Sequence, residues 1–333
     1  MLDNDWLLWL SAGVVAFSAL SYVLLDGTDL GAGVLLGMTK PPKARREIAL
    51  TILPVWDANE TWLVLGGGGL LALFPRAYAV LLPALYLPFI LMFLALLLRA
   101  MALEFRDQAA HERSRRCIDA LLLVGSAVAA GCQGIVLGTL VQGVPSHDGQ
   151  YSGQGNEWLS AFPLFCASVL VLGYTWLGAC WLYWRTEGRL RQGARRQARW
   201  LACATLAALV TLAGWTATLA PQYADRLYDP LIAGPAIVAL LTLATGFCLA
   251  FRSRWDALPL ACALGVFVVA FAFMIATLFP LIVPPFITLE MAASGPASQK
   301  FMLAGFALLM PVTLAYNTFG FKVFSGKVRA SQE

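Results

Sequence analysis

The apolar residues of this chain fall into blocks of roughly 20, the length that crosses a hydrocarbon layer of about 30 Å. Inside lipid every backbone N–H and C=O must be satisfied by the chain itself, so only helices or a closed barrel can cross. The blocks run without the apolar–polar alternation of barrel strands, which selects helices. Composition agrees: 13% of the 333 residues are charged, against about 25% in soluble domains. The expectation is an all-α polytopic membrane protein, one bundle domain over 1–333. About nine transmembrane helices are expected, near 6–25, 51–73, 77–98, 118–142, 159–184, 199–219, 231–251, 257–283 and 302–324.

Nine crossings put the termini on opposite sides, and Lys and Arg then set the orientation. Basic residues crowd the segments after the first, third, fifth and seventh blocks. These are Lys40, Lys43, Arg45 and Arg46; Arg99, Arg106, Arg113, Arg115 and Arg116; Arg185, Arg189, Arg191, Arg195, Arg196 and Arg199; Arg252 and Arg254. Lys322, Lys327 and Arg329 join them, whereas the other side keeps only Arg76, Arg226 and Lys300. The bias predicts an outside N-terminus and a cytoplasmic C-terminus. Trp6, Trp9 and Trp158 at outer boundaries, and Trp181, Trp184, Trp200 and Trp255 at inner ones, fit an aromatic belt. The net charge of +4 is explained by this loop bias and points to no nucleic-acid partner. The acidic first five residues argue against a cleaved signal peptide. The seven cysteines form no C-x-x-C pair and read as packing residues.

An ionisable group at membrane depth costs several kcal/mol by most estimates, so each one needs a reason. Asp26 and Asp29, in Asp26-Gly-Thr-Asp-Leu-Gly-Ala-Gly33, share a helix face at the inner end of the first block. They are either solvated carboxylates at a helix end or a packed polar junction; the glycines permit close packing or a break. Asp57 and Glu60, in Pro54-Val-Trp-Asp-Ala-Asn-Glu-Thr-Trp62, lie in the first turns of the second block. A proton relay and a simple N-terminal capping role are both open to them. Arg99, at the inner end of the third block, is placed either to pair with Asp57 or Glu60 or to reach the surface. The run Gly66–Gly69 lacks a following Lys-Ser/Thr, so it is no phosphate loop, and close helix packing is expected of it. The only histidines, His111 and His147, fall in loops, so no haem ligand faces the bundle interior. No nucleophile elbow, Walker sequence or metal-ligand cluster is present in the sequence. The Gly-rich, polar loop 143–157 is expected outside, either ordered by a partner or mobile.

These motifs resemble one family. Asp26–Gly33 looks like D-G-x-D-L-G-x-G, and Pro54–Leu63 looks like P-x-W-D-G-N-E-x-W-L. Phe74-Pro75 with Tyr78-Ala79, then Arg99 with Ala102, Glu104, Phe105 and Arg106, and finally Leu140, Gln142 and Gly143, continue the pattern. Together they resemble subunit II of cytochrome bd-type quinol oxidases, in its short, cyanide-insensitive-like branch. The motifs are specific over the first 145 residues; beyond them the match is helix count and topology. Ala58 stands where the family commonly has Gly.

The resemblance implies a haem-free subunit of a bacterial inner-membrane respiratory complex. It packs on subunit I, which carries two b-type haems and haem d, oxidises quinol and reduces oxygen to water. A structural quinone is the one cofactor the resemblance leaves open for this chain. Small single-helix accessory subunits and membrane lipids are further expected partners. Asp57, with Glu60 and Arg99, is implied in a cytoplasmic proton pathway. Asp26, Asp29, Trp56, Asn59 and Trp62 are implied in a polar junction or subunit contact. A proton-coupled secondary transporter with Asp26, Asp29, Asp57 and Glu60 as coupling sites, and a pure assembly scaffold, are the competing readings.

Overall fold

The computed structural model describes residues 5–323 and 326–328. Residues 1–4 of the acidic N-terminal segment and the basic Arg329 lie outside the described residues. Thirteen α-helices follow in order: α1 Asp5–Met38, α2 Pro42–Ile52, α3 Trp56–Leu73, α4 Pro75–Ala84, α5 Tyr86–Phe105, α6 Glu112–Gln142, α7 Ala161–Arg185, α8 Gly188–Leu219, α9 Pro221–Leu227, α10 Pro230–Ala250, α11 Leu258–Leu278, α12 Leu289–Ala292 and α13 Pro296–Val323. Among the described residues eight of these are long and apolar enough to cross a membrane. A ninth crossing results if α3 and α4, bent by 120°, count as one broken span.

The helical expectation holds; the basic tract expected as a loop up to Arg199 is helical from Gly188, extending the sixth block by about three turns, and three other boundaries differ for identifiable reasons. α1 does not stop near residue 25 but continues to Met38, because the polar run from Asp26 finds protein partners instead of water. The second block splits at Pro54 into α2 and α3; proline has no N–H to continue the ladder. The third block splits at Leu85 into α4 and α5. Pro88 cannot donate to the carbonyl of Ala84, so a continuous helix through this point would lose a bond and meet a ring clash. The crossing segment therefore runs to Phe105 and carries Arg99 well inside it. Between α3 and α4, Phe74 precedes Pro75 and leaves helical backbone (φ −132°, ψ 62°), as a residue before proline tends to.

At one end of the bundle lie the basic connections: α2, the 106–111 loop, the α7–α8 turn, the 251–257 loop and the tail segment 326–328. The opposite end is capped by α4, α9, α12 and two short antiparallel hairpins. These are β1 Ser146–His147 with β2 Gln150–Tyr151, and β3 Leu281–Val283 with β4 Ile287–Thr288. The N–H of Val144 donates to Pro284 O at 2.9 Å and joins the two loops. Phe74, Ala77, Val80, Leu85, Val144, Val283 and Ala292 are all fully buried between cap and helices.

The 143–157 loop is ordered by its own contacts. Glu157 accepts from the Tyr151 hydroxyl at 2.7 Å and from the N–H groups of Gln154 and Gly155 at 2.7 and 3.1 Å. Burial pushes the Glu157 carboxyl up, but these donors outweigh it and hold it below its ordinary range. Burial and the neighbouring Glu157 push the Tyr151 phenol up to about 12.

Candidate functional site: a buried carboxylate–arginine cluster

Close backbone packing builds the site. A side chain on Gly31 would collide with the carbonyl of Tyr174, and one on Gly178 would collide with the backbone of Gly31 and Ala32, so α1 and α7 touch main chain to main chain. A side chain on Gly125 would fall within 2.8 Å of Ala95 O and 3.1 Å of Arg99 N, so α6 presses on α5 beside Arg99. The glycines of the first polar run thus serve close approach, and α1 shows no break there. Gly69 alone of the Gly66–Gly69 run is pressed by a neighbour, Phe306 of α13 at 2.9 Å; Gly67 and Gly68 meet nothing within 4 Å.

Inside this frame Arg99 is 1% exposed and faces three carboxylates. Its Nη1 donates to Asp26 Oδ1 at 2.9 Å and to Glu60 Oε1 at 3.2 Å, and its Nη2 lies 3.9 Å from Asp29 Oδ2. Asn59 Nδ2 donates to Asp29 Oδ2 at 2.7 Å. Asp26 and Asp29 are fully buried, whereas the Glu60 side chain is 27% exposed and links the cluster to the surface of the chain. Three carboxylates share one guanidinium, so the cluster carries uncompensated charge in an apolar setting unless protons are bound. Asp26 Oδ2 and Asn59 Oδ1 are buried without a hydrogen-bond partner. The solvated-helix-end alternative for Asp26 and Asp29 is thereby excluded.

Arg99 therefore meets Glu60 but not Asp57. Asp57 is exposed on the outer face of α3. It shares that face with the exposed Thr61, Val64, Gly68 and Leu71, at the seven-residue repeat of a helix-docking stripe. Trp56 is half-buried and packs against the core, while Trp62 is fully buried with its edge against Phe17, ring centres 5.6 Å apart.

Sequence reasoning missed a polar extension one turn before Asp26. Gln133 Nε2 donates to the Tyr22 hydroxyl at 3.0 Å, and Tyr174 donates to Gln133 Oε1 at 2.7 Å, all three buried. A glutamine in the middle of the apolar α6 was the available signal. It also missed a clamp at the basic end. Asp119 is buried and accepts from Arg45 Nη1 at 2.7 Å and Arg106 Nε at 2.6 Å, tying α2 and the end of α5 to α6. Arg45 and Arg106, read as loop cations, are both buried there.

A cleft of about 250 Å³ opens beside the cluster between the start of α3 and the end of α13. Its lining includes Val55, Ala58, Asn59, Asn317, Phe319 and Phe321, and Asn317 is buried with neither amide atom partnered.

The fold and this site define a polytopic helical membrane protein with a largely buried charged cluster inside one end of its bundle. The sequence model of the cytochrome bd terminal oxidase subunit II family matches residues 7–324. The chain belongs to that family. It is 26% identical to a protein described as cytochrome bd ubiquinol oxidase subunit 2 of Bacillus subtilis, over 95% of both chains. It is 32% identical, over 65% of its length, to a probable cytochrome oxidase subunit 2 of Haemophilus influenzae. It is also 32% identical, over 61%, to cytochrome bd-I ubiquinol oxidase subunit 2 of Escherichia coli K12. The chain spans 58% and 53% of those two relatives' lengths. The bd oxidase structure from Geobacillus thermodenitrificans shares its fold, with TM-score 0.79 at 17% identity, covering 96% of this chain and 98% of that one.

Proposed function

We propose that this chain is the haem-free subunit II of a bd-type quinol:oxygen oxidoreductase in a bacterial inner membrane, a single bundle with its basic end in the cytoplasm. Quinol oxidation and oxygen reduction would take place on the haems of the partner subunit. This chain contributes an apolar helix interface that stabilises that subunit, and carboxylates that take up protons on the basic side. The observation that carries this reading is the contrast within one turn of α3. Glu60 turns inward to Arg99 at 3.2 Å, while Asp57 faces out at the head of a row that continues through Thr61, Val64, Gly68 and Leu71. A carboxylate on such a face calls for a protein neighbour, since lipid would penalise it. Asp57 then stands at the seam where the partner docks, and Glu60 with Arg99 stands behind it. The loop positions of His111 and His147 support the haem-free assignment. The cleft beside α3 fits a quinone: Phe319 and Phe321 supply an apolar wall, and Asn317, with neither amide atom partnered, supplies a free donor.

The transporter reading fares less well, because three of its four coupling acids, Asp26, Asp29 and Glu60, are held on Arg99 and family membership favours an oxidase subunit. The test is Asp57→Asn in the intact complex. Oxygen consumption with quinol should fall about 100- to 10,000-fold, the range for a lost proton-transfer group, while the haem absorption spectrum stays that of the wild type. Unchanged turnover would remove the proton role. Purification of this chain without any haem-bearing partner would remove the subunit assignment as well.

A further inference from the structure

We propose that the basic end of α8 and α10 holds the head group of an anionic phospholipid. Arg195 and Arg199 sit one turn apart on α8, and both guanidiniums stack on the same ring, that of Phe251, 5.5 and 5.0 Å from its centre. Like charges at this spacing repel, and among the described residues no carboxylate lies within 4.0 Å of either one. Asp256, on the adjoining loop, is already taken: Arg191 Nη2 and Lys327 Nζ both bind it, the latter at 2.7 Å. Burial pushes that carboxyl up, but its hydrogen bond from Lys327 and the charge of Arg191 hold it below its ordinary range. Asp256 therefore has two cations of its own to balance and none of its charge is left for the arginine pair. Arg195 Nε is buried without a partner. A pair of cations pinned together on one aromatic ring, with a donor to spare, is a site built for an external anion with several oxygens.

Its surroundings identify the anion's source. Trp200 and Trp255 flank it, 74% and 77% exposed, as belt residues at a membrane surface are. Further along the same two helices Val210, Ile237, Leu241 and Leu249 are exposed apolar residues of the crossing segments. A molecule with an anionic phosphate at the level of the tryptophans and acyl chains along α8 and α10 matches both features. Free phosphate matches only the first. Exposed Arg252 and Arg254 on the adjoining loop raise the local positive potential.

The test uses the full-length chain in mild detergent with the subunits that accompany it. Native mass spectrometry would compare retention of phosphatidylglycerol and phosphatidylcholine. Wild type should retain phosphatidylglycerol selectively. Arg195→Gln with Arg199→Gln should weaken it about 25-fold, from about fivefold per cation removed, while Arg189→Gln changes nothing. Added inorganic phosphate should not displace the lipid. Equal retention of the two lipids, retention by the double variant, displacement by phosphate, or cross-linking of position 199 to an acidic protein in place of lipid would each overturn the proposal. Should the double variant fail to assemble, brominated lipids decide the matter in wild type. Brominated phosphatidylglycerol must quench tryptophan fluorescence more than brominated phosphatidylcholine, with the difference abolished by Trp200→Phe and Trp255→Phe. Equal quenching would overturn the assignment.

Discussion

Arg99 is the only cation facing Asp26, Asp29 and Glu60 among the described residues, so its loss leaves buried acids facing one another. Breaking a buried pair by removing one partner typically costs about 3–5 kcal/mol. Arg99→Met should therefore lower the thermal stability and yield of the chain sharply. Arg99→Lys should recover part of it, because one ammonium cannot fork towards several carboxylates at once; melting curves in detergent check the order wild type, Lys, Met. At the opposite end, Glu157 contributes loop stability through a carboxyl held below its ordinary range. The sign follows: the contribution is fully present above the unfolded-state value of about 4.3 and is lost as pH falls through the folded value. The protection factors of the 143–157 loop, with intrinsic exchange rates divided out, should fall on acidification, and Glu157→Gln should show the lower protection already at neutral pH. The residues of the cluster were legible because lipid rejects them, but their pairing was not, since 73 positions separate Asp26 from Arg99. Asp57 and Glu60 mislead for a geometric reason. Three residues at 3.6 per turn leave them about 60° apart, enough for the edge of the buried face to pass between them.

Among the elements, α1 and α7 set the site because their backbones meet at Gly31 and Gly178. Gly178→Val forces that seam apart, and overpacking of this kind costs about 1–3 kcal/mol or more. Its expected signature is loss of the folded chain in detergent, whereas Gly67→Val, where nothing lies within 4 Å, should leave folding intact; gel-filtration profiles of the two variants decide. The helix count was readable from apolar length alone. The break at Pro75 was readable too, but those at Pro54 and Pro88 were not, although the prolines were in plain view. A proline at the first turn of a helix is tolerated and one in its interior is not, and which of these applies depends on where the preceding helix has already ended. The extension of α1 past Asp26 was hidden for the same kind of reason: a polar run inside a membrane helix is stable only when partners on other helices accept it.

At the scale of the whole molecule, the chain is closed on the side of α7 and open on the side of α3. Trp176, Leu177, Ala179, Cys180 and Trp181 on α7 are buried, while α3 turns Asp57, Thr61, Val64, Gly68 and Leu71 outward in one row. Lipid could cover Val64 and Leu71 but has no partner for Asp57 and gains little from bare backbone at Gly67 and Gly68. A packed helix gains from small residues, because they let two backbones approach. The open row is therefore the face proposed for the second subunit. Gly68→Leu should block that approach without disturbing this chain, since nothing of its own lies within 4 Å of the position. The expected result is a normal level of this chain in membranes with several-fold less haem-bearing partner recovered alongside it. Gly214→Leu on α8, equally open in this chain, serves as the control and should leave recovery unchanged. If Gly68→Leu retains its partner as the control does, the docking face lies elsewhere, and Asp57 loses the neighbour on which its proposed role in proton uptake depends.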